Sequence, residues 1–97
     1  MTLTGKQRNH LRRLAHHRRP VVILGAAGVT EAVVQELDAA LAHHELIKVR
    51  LPAGARDLRG RWIGALCSGT GAECVQEIGR IAVLYRPAAK PRIDLPR

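Results

Sequence analysis

At 97 residues, 46% of them hydrophobic and 25% charged, the chain supports one self-standing folded domain and excludes both a two-domain and a disordered chain. Sixteen Lys and Arg against eight Asp and Glu give a formal charge of +8, so the expected partners are polyanions, nucleic acid well before an anionic membrane. No apolar run approaches the ~18 residues of a membrane span, and no export-type apolar segment opens the sequence, so the expected location is cytoplasmic.

The first helix is expected to start at Thr4, which N-caps, with Gln7 completing a capping box. Gln7, Leu11, Leu14 and Ala15 then share an apolar face, Lys6, Arg13 and His17 point away from it, and Arg8 and Arg12 line one flank. Pro20 is expected to end this helix. Val21-Val22-Ile23-Leu24 reads as a short strand buried on both faces. After Gly25-Ala26-Ala27-Gly28, Thr30 is the expected cap of a second helix. Val33, Leu37, Ala40, Leu41 and His44 form its inner face, with Glu31, Asp38 and Glu45 on an outer edge. Residues 46–51 alternate, with Ile47, Val49 and Leu51 on one side of a second strand and Lys48 and Arg50 on the other. A third helix is predicted from Asp57 to about Thr70, with Leu58, Trp62, Ala65 and Leu66 at helical spacing and Gly71 as its exit. Residues 74–78 and 81–85 form two strands joined by a tight turn at Gly79-Arg80.

The order α-β-α-β-α-β-β defines an α/β fold, a four-stranded mixed sheet covered by helices, with parallel pairing across the strand–helix–strand units and an antiparallel terminal hairpin. Residues 1–86 form the single domain. Residues 87–97, with three prolines and three basic side chains, form a basic tail expected to be extended or mobile.

The charge is segregated. Residues 1–20 hold Lys6, Arg8, Arg12, Arg13, Arg18 and Arg19 without an acid, whereas residues 21–47 hold four acids without a Lys or Arg. A merely soluble surface intersperses its signs, so this pattern points to one face built to meet phosphate. Thirteen of the sixteen cations are arginine, which suits bidentate phosphate contacts.

The 25–28 loop is the sharpest local feature. It joins a strand to a helix N-terminus, where backbone amides and the helix dipole favour an anion, and its glycines allow a phosphodiester to approach closely, by analogy with the clamping loop of KH domains. Residues 64–70 spell G-x-x-x-x-G-T but lack the P-loop lysine and sit at a helix end, which argues against nucleotide hydrolysis. His16-His17 and His43-His44 are adjacent pairs that diverge on a helix, and no carboxylate or thiol completes a metal site. Cys67 and Cys74 fit no redox or zinc spacing and read as thiols of a reducing compartment. No catalytic constellation can be assembled, so no enzyme activity, cofactor or small-molecule substrate is expected. Trp62 and Tyr85 are the only aromatic residues, both at core-like positions. Readers of single strands stack bases on two or three exposed rings, so the RNA expected here is folded and recognised by shape and phosphate.

Leu3-Thr4-Gly5-Lys6-Gln7-Arg8, Leu11, Leu14-Ala15-His16, and Gly25-x-x-Gly28-Val29-Thr30-Glu31 together resemble the CRM (chloroplast RNA splicing and ribosome maturation) domain family. His44-Glu45-Leu46-Ile47-Lys48-Val49 and Ile78-Gly79-Arg80 running to Val83-Leu84-Tyr85-Arg86 extend the match over nearly the whole chain, in the manner of the stand-alone bacterial, YhbY-type branch. The resemblance implies a fold similar to the C-terminal domain of bacterial translation initiation factor three. It also implies RNA binding through the G-x-x-G loop and association with precursors of the large ribosomal subunit. On this basis the candidate RNA-binding residues are Lys6, Arg8, Arg12, Arg13, Arg18, Arg19, Gly25, Ala26, Ala27, Gly28, Thr30, Lys48 and Arg86, in a protein expected to be monomeric. One departure stands out: relatives often carry polar or basic residues at the two central loop positions, and this chain has Ala26 and Ala27. Only backbone amides then act at the loop tip, which shifts affinity to the first helix. Arg56, Arg59 and Arg61 match no family signature. The competing readings are a nucleic-acid module acting on DNA or messenger RNA, and a protein-interaction module that docks on an acidic partner.

Overall fold

The computed structural model describes residues 2–97 and contains the seven predicted elements in the predicted order. They are α1 (Gly5–Ala15), β1 (Pro20–Ile23), α2 (Glu31–His44), β2 (Leu46–Arg50), α3 (Arg56–Thr70), β3 (Glu73–Ile78) and β4 (Ile81–Tyr85). The sheet order is β1-β2-β4-β3, with β1 parallel to β2 and both other pairs antiparallel. Strand β4 thus inserts between β2 and β3, and α3 carries the chain past it. Turns made where the residues dictate them produce this layout: Gly71 ends α3 at φ +76, and Gly79 turns the hairpin at φ +55.

Both predicted helix starts are present. Thr4 accepts from Gln7 N while the Gln7 side chain accepts from Thr4 N, and the Thr30 hydroxyl accepts from Val33 N. Helix α1, however, stops at Ala15, not at Pro20, because the chain must reverse across the sheet before β1 begins. His17 consequently lies outside the helix.

The two sheet faces differ. Helices α2 and α3 bury one of them, packing Leu37, Leu41, Ile63 and Leu66 onto Val22, Ile47, Val49 and Leu84. The other carries a smaller cluster in which Leu3, Leu11 and Ala15 meet Leu46, Val75, Val83 and Tyr85. Helix α1 lies over β2 and β3 and leaves β1 bare. As expected, helices cover the mixed sheet, α1 covering its face only in part, whereas the expectation of a buried first strand is corrected: Val22 and Leu24 are buried, but Val21 and Ile23 are exposed. Two helical faces also rotate from their predicted positions. Leu14 is exposed on α1, and the buried stripe of α3 is Ile63, Leu66 and Thr70, with Leu58 and Ala65 outside. Periodicity alone does not say which of two neighbouring apolar stripes a sheet will meet.

The tail forms no helix or strand, yet it is docked. Ile93 and Leu95 pack on the α1-side cluster, and Gln7 Nε2 donates to Pro96 O over 3.1 Å. Glu45, placed by sequence on an outer edge, is fully buried at φ +65 just after α2. Its carboxylate accepts from the amides of Ala88 (3.1 Å) and Arg92 (2.8 Å), and Arg92 Nε approaches to 3.3 Å. Glu45 is the clasp that holds the tail.

Arg86 clasps the opposite layer. Its guanidinium reaches Asp38 Oδ1 (2.5 Å) and Asp38 O (3.0 Å) on α2, and Thr70 O (2.8 Å) at the end of α3. Arg86→Ala is expected to cost about 2 kcal/mol, because it strips several charge-assisted bonds at once. Arg86→Lys should recover only part, since one ammonium cannot reproduce the fork. Urea melts of the three proteins check this, and a wild-type midpoint for the alanine variant would refute it.

Cys67 and Cys74 are free and half-buried. Burial, then the neighbouring Cys74 and Glu73, push the Cys67 thiol up to about 11, and burial likewise raises Cys74. Both are poor nucleophiles at neutral pH.

Candidate nucleic-acid interface

The 25–28 loop closes on a single backbone bond, Gly28 N to Gly25 O at 3.0 Å, with Gly28 at φ +75. Gly28 is buried while Gly25, Ala26 and Ala27 are exposed, so the amides of the two alanines sit at a tip open to solvent. The loop rests on Trp62 of α3. A Cβ on Gly28 would stand 3.1 Å from Trp62 Nε1, and one on Gly54, in the loop after β2, 3.2 Å from the far edge of the same ring. Trp62 is therefore a half-buried wedge under two glycine turns, in keeping with the core-like position expected for it.

The helix N-terminus behind the loop is already occupied. Thr30 caps it and Glu31 places a carboxylate in the first turn. The Glu31 carboxylate disfavours an anion at that terminus, which leaves the exposed tip at Ala26 and Ala27 as the candidate contact.

Topology gathers further cations around this end of the sheet. Arg50 ends β2, and Arg56 and Arg61 stand in the first turns of α3. Arg80 occupies the hairpin turn, whose carbonyl accepts from Leu51 N at 2.7 Å. All four are exposed, whereas Arg59 turns inward to Glu77 at 3.6 Å. The acids at this end are Glu31, Asp57 and the paired Glu77. The segment without a sequence assignment thus belongs to the rim of the loop.

The bare strip of sheet runs from this rim to α1. Ile23 and Ile78 are 65% and 59% exposed, with Lys48 and Arg50 on the same face by strand alternation. Arg12 and His16 close the strip, forming with Lys48, Ile78 and Ile81 a recess of about 180 Å³, and Arg13 adjoins it beside Gln76. Loop tip and strip thus share one end of the sheet, and Arg12, Arg13 and Lys48 border the strip on its α1 side.

The remaining candidates lie elsewhere or have internal partners. Arg8 binds Glu73 Oε1 and Cys74 O, each at 2.7 Å, and so anchors α1 to β3. Lys6 is exposed in the first turn of α1, away from the loop. Arg18 donates to Leu46 O at 2.6 Å and lies with Arg19 at the opposite end of the sheet. Arg86 is held between α2 and α3, and the Thr30 hydroxyl is engaged in its cap. Sequence reasoning missed Arg50, Arg56, Arg61 and Arg80 as members of the loop end. The outward parity of Arg50 was readable beside Lys48, but nothing local placed the other three.

Among the described residues, no three His, Cys, Asp or Glu side chains group as a metal site. The rings of His16 and His17, and of His43 and His44, meet edge-on with centroids 5.1 and 4.5 Å apart.

The chain is similar to known proteins in sequence and fold. The chain is 49% identical over 96 residues to an RNA-binding protein of Haemophilus influenzae, covering 99% of this chain and 97% of that one. It is 36% identical over 95 residues to a probable RNA-binding protein of Bacillus subtilis, covering 97% and 99%. The solution structure of a hypothetical Staphylococcus aureus protein, a candidate RNA binder, superposes with a TM-score of 0.84 at 36% identity, over 98% of this chain and all of that one. The family model described as the CRS1 / YhbY (CRM) domain spans residues 3–86, from the cap of α1 to the arginine that clasps α2 and α3, and the chain belongs to that family.

Proposed function

We propose that this protein is a non-catalytic binder of folded RNA, gripping the phosphate backbone, and that it serves in the cytoplasm as a monomeric assembly factor on ribosomal RNA of large-subunit precursors. The observation that carries the reading is an exposed loop tip without charged side chains at the same end of the sheet as exposed Arg50 and Arg80, with Arg12, Arg13 and Lys48 along the adjoining strip. Two exposed amides accept a phosphate, while Arg12, Arg13, Lys48, Arg50 and Arg80 stand where neighbouring phosphates would lie. The relatives named as RNA-binding proteins support RNA as the partner, and the CRM resemblance supports the ribosomal assignment.

If about five phosphates are neutralised, affinity falls with a log–log salt slope of about −3.5 to −4.5. Arg12→Ala/Arg13→Ala should weaken binding of a structured ribosomal RNA fragment and make the slope shallower by about 1.5. Fluorescence anisotropy between 50 and 300 mM salt measures both, and an unchanged slope would remove the first helix from the interface. The ribosomal assignment predicts co-sedimentation with pre-large-subunit particles at low salt. Sedimentation only at the top of the gradient, together with normal subunit profiles after gene deletion, would defeat it.

One observation favours a protein-docking reading: the exposed Ile23 and Ile78 on the open strip. Competition between the RNA fragment and an acidic ribosomal protein for this face separates the two.

A further inference from the structure

At the end of the sheet farthest from the 25–28 loop, the α1–β1 connection, the last turn of α2 and the docked tail enclose a cavity of about 500 Å³. Its polar lining is basic throughout: Arg18, Arg19, His43, His44 and Arg92, over a floor formed by Leu46 and Ile47. Glu45, the residue after His44, is fully buried and already bonded to Arg92. Arg18 and Arg19 have no acidic partner among the described residues.

Such a cluster works against folding. A helix C-terminus carries partial negative charge, which a nearby cation offsets. Here Arg92 alone meets that need, by donating to His43 O and Ala42 O. Arg18 spends one N–H on Leu46 O. The remaining positive charge has no internal partner, and protonation of His44 is disfavoured by burial first and then by His43, Arg18 and Arg92. Cations from three chain segments converge on one concavity, and only Arg92 has a counter-charge, Glu45, which is the arrangement of a site whose anion comes from outside the chain.

We infer that this cavity is a second phosphate site, which takes a backbone segment of the same folded RNA that the 25–28 loop grips, so that the domain bridges two RNA segments. The inference rests on the RNA-binding reading above. The loop follows the C-terminal end of β1 and the cavity lies at the N-terminal ends of β1 and β2, so the two sites stand at opposite ends of the sheet. Phosphate in the cavity also stabilises protonated imidazole. Binding through this end therefore strengthens as pH falls through the range where His44 acquires charge, a step that burial first, then His43, Arg18 and Arg92, oppose until the anion arrives.

The test uses the full chain and two RNAs, a three-helix junction from ribosomal RNA and a single short hairpin. Arg19→Ala/His43→Ala/His44→Ala spares Arg18 and Arg92, whose bonds hold the fold. For the junction, this variant should bind about tenfold more weakly at pH 5.5, with a salt slope shallower by about 1, and should lose the acid-side strengthening. For the hairpin, held by the loop end alone, it should match the wild type. Equal affinity, slope and pH dependence of variant and wild type on the junction would overturn the inference while leaving the loop reading intact. Failure of the wild type to bind either RNA would remove both. Saturable binding of an acidic peptide at this end, with junction binding unaffected by the variant, would also overturn it.

Discussion

Gly28→Val is expected to lower the unfolding free energy by roughly 3 kcal/mol, whereas Gly25→Val is expected to leave it within about 0.5 kcal/mol, although the two glycines close the same turn. At Gly28 the backbone stands at φ +75, where a β-branched L-residue is strained, and the added Cβ meets Trp62 Nε1 at 3.1 Å. Trp62 cannot retreat freely, because the Gly54 turn closes on the opposite edge of its ring. For a domain of this size the loss corresponds to a melting point lower by roughly 10–20 °C. At Gly25 an added Cβ meets no atom within 4 Å and φ is not in the left-handed region, so the side chain projects into solvent. It projects where a phosphodiester must approach, and Gly25→Val should weaken RNA binding about tenfold, equivalent to 1.4 kcal/mol. Thermal melts and RNA titrations of the pair separate folding from recognition. Undiminished RNA affinity in folded Gly25→Val would exclude the loop as a backbone contact.

Glu45→Gln is expected to cost about 2 kcal/mol and to free the tail. Both carboxylate oxygens accept backbone N–H groups, so an amide must turn its NH₂ towards a donor at one of them. Burial by itself would raise the carboxyl pKa, but the Ala88 and Arg92 amides and the Arg92 guanidinium outweigh it and hold the group below its ordinary 4.5. Because the folded value is depressed, the stabilisation is fully present above the unfolded value and is lost as pH falls through the folded one. Acid titration of wild type should therefore show a loss of stability below about pH 4.5 that Glu45→Gln lacks. Hydrogen exchange on residues 87–97 should rise in the variant at neutral pH. A variant whose tail amides stay protected would show that apolar docking of Ile93 and Leu95 suffices alone. The positive φ of Glu45 costs of order 1 kcal/mol in a non-glycine residue, and the carboxylate clasp offsets that strain.

Local chemistry determined most of the scaffold. Capping residues, apolar runs and glycine turns act within a few residues of themselves, so Thr4-Gln7, Thr30, Gly71 and Gly79 set element boundaries that the fold retains. The alternation in β2 was legible for the same reason, since strand parity is a property of neighbouring residues. The basic charge and the phosphate-ready turn were likewise present in the sequence before any fold.

Tertiary structure decided which charges remain free. Arg8, Arg18 and Arg86 belong to the same sequence class as Arg12, Arg13 and Arg80, yet internal carbonyls and carboxylates tens of residues away claim the first three. It also decided that Glu45 is buried, that the tail docks on it, and that one strip of sheet stays bare, because each depends on where α1 crosses the strands. The sequence by itself therefore determined a basic α/β domain with a glycine-bounded strand-to-helix turn. The distribution of its cations between the loop end, the open strip and the far cavity was set by long-range packing, which no local pattern encodes.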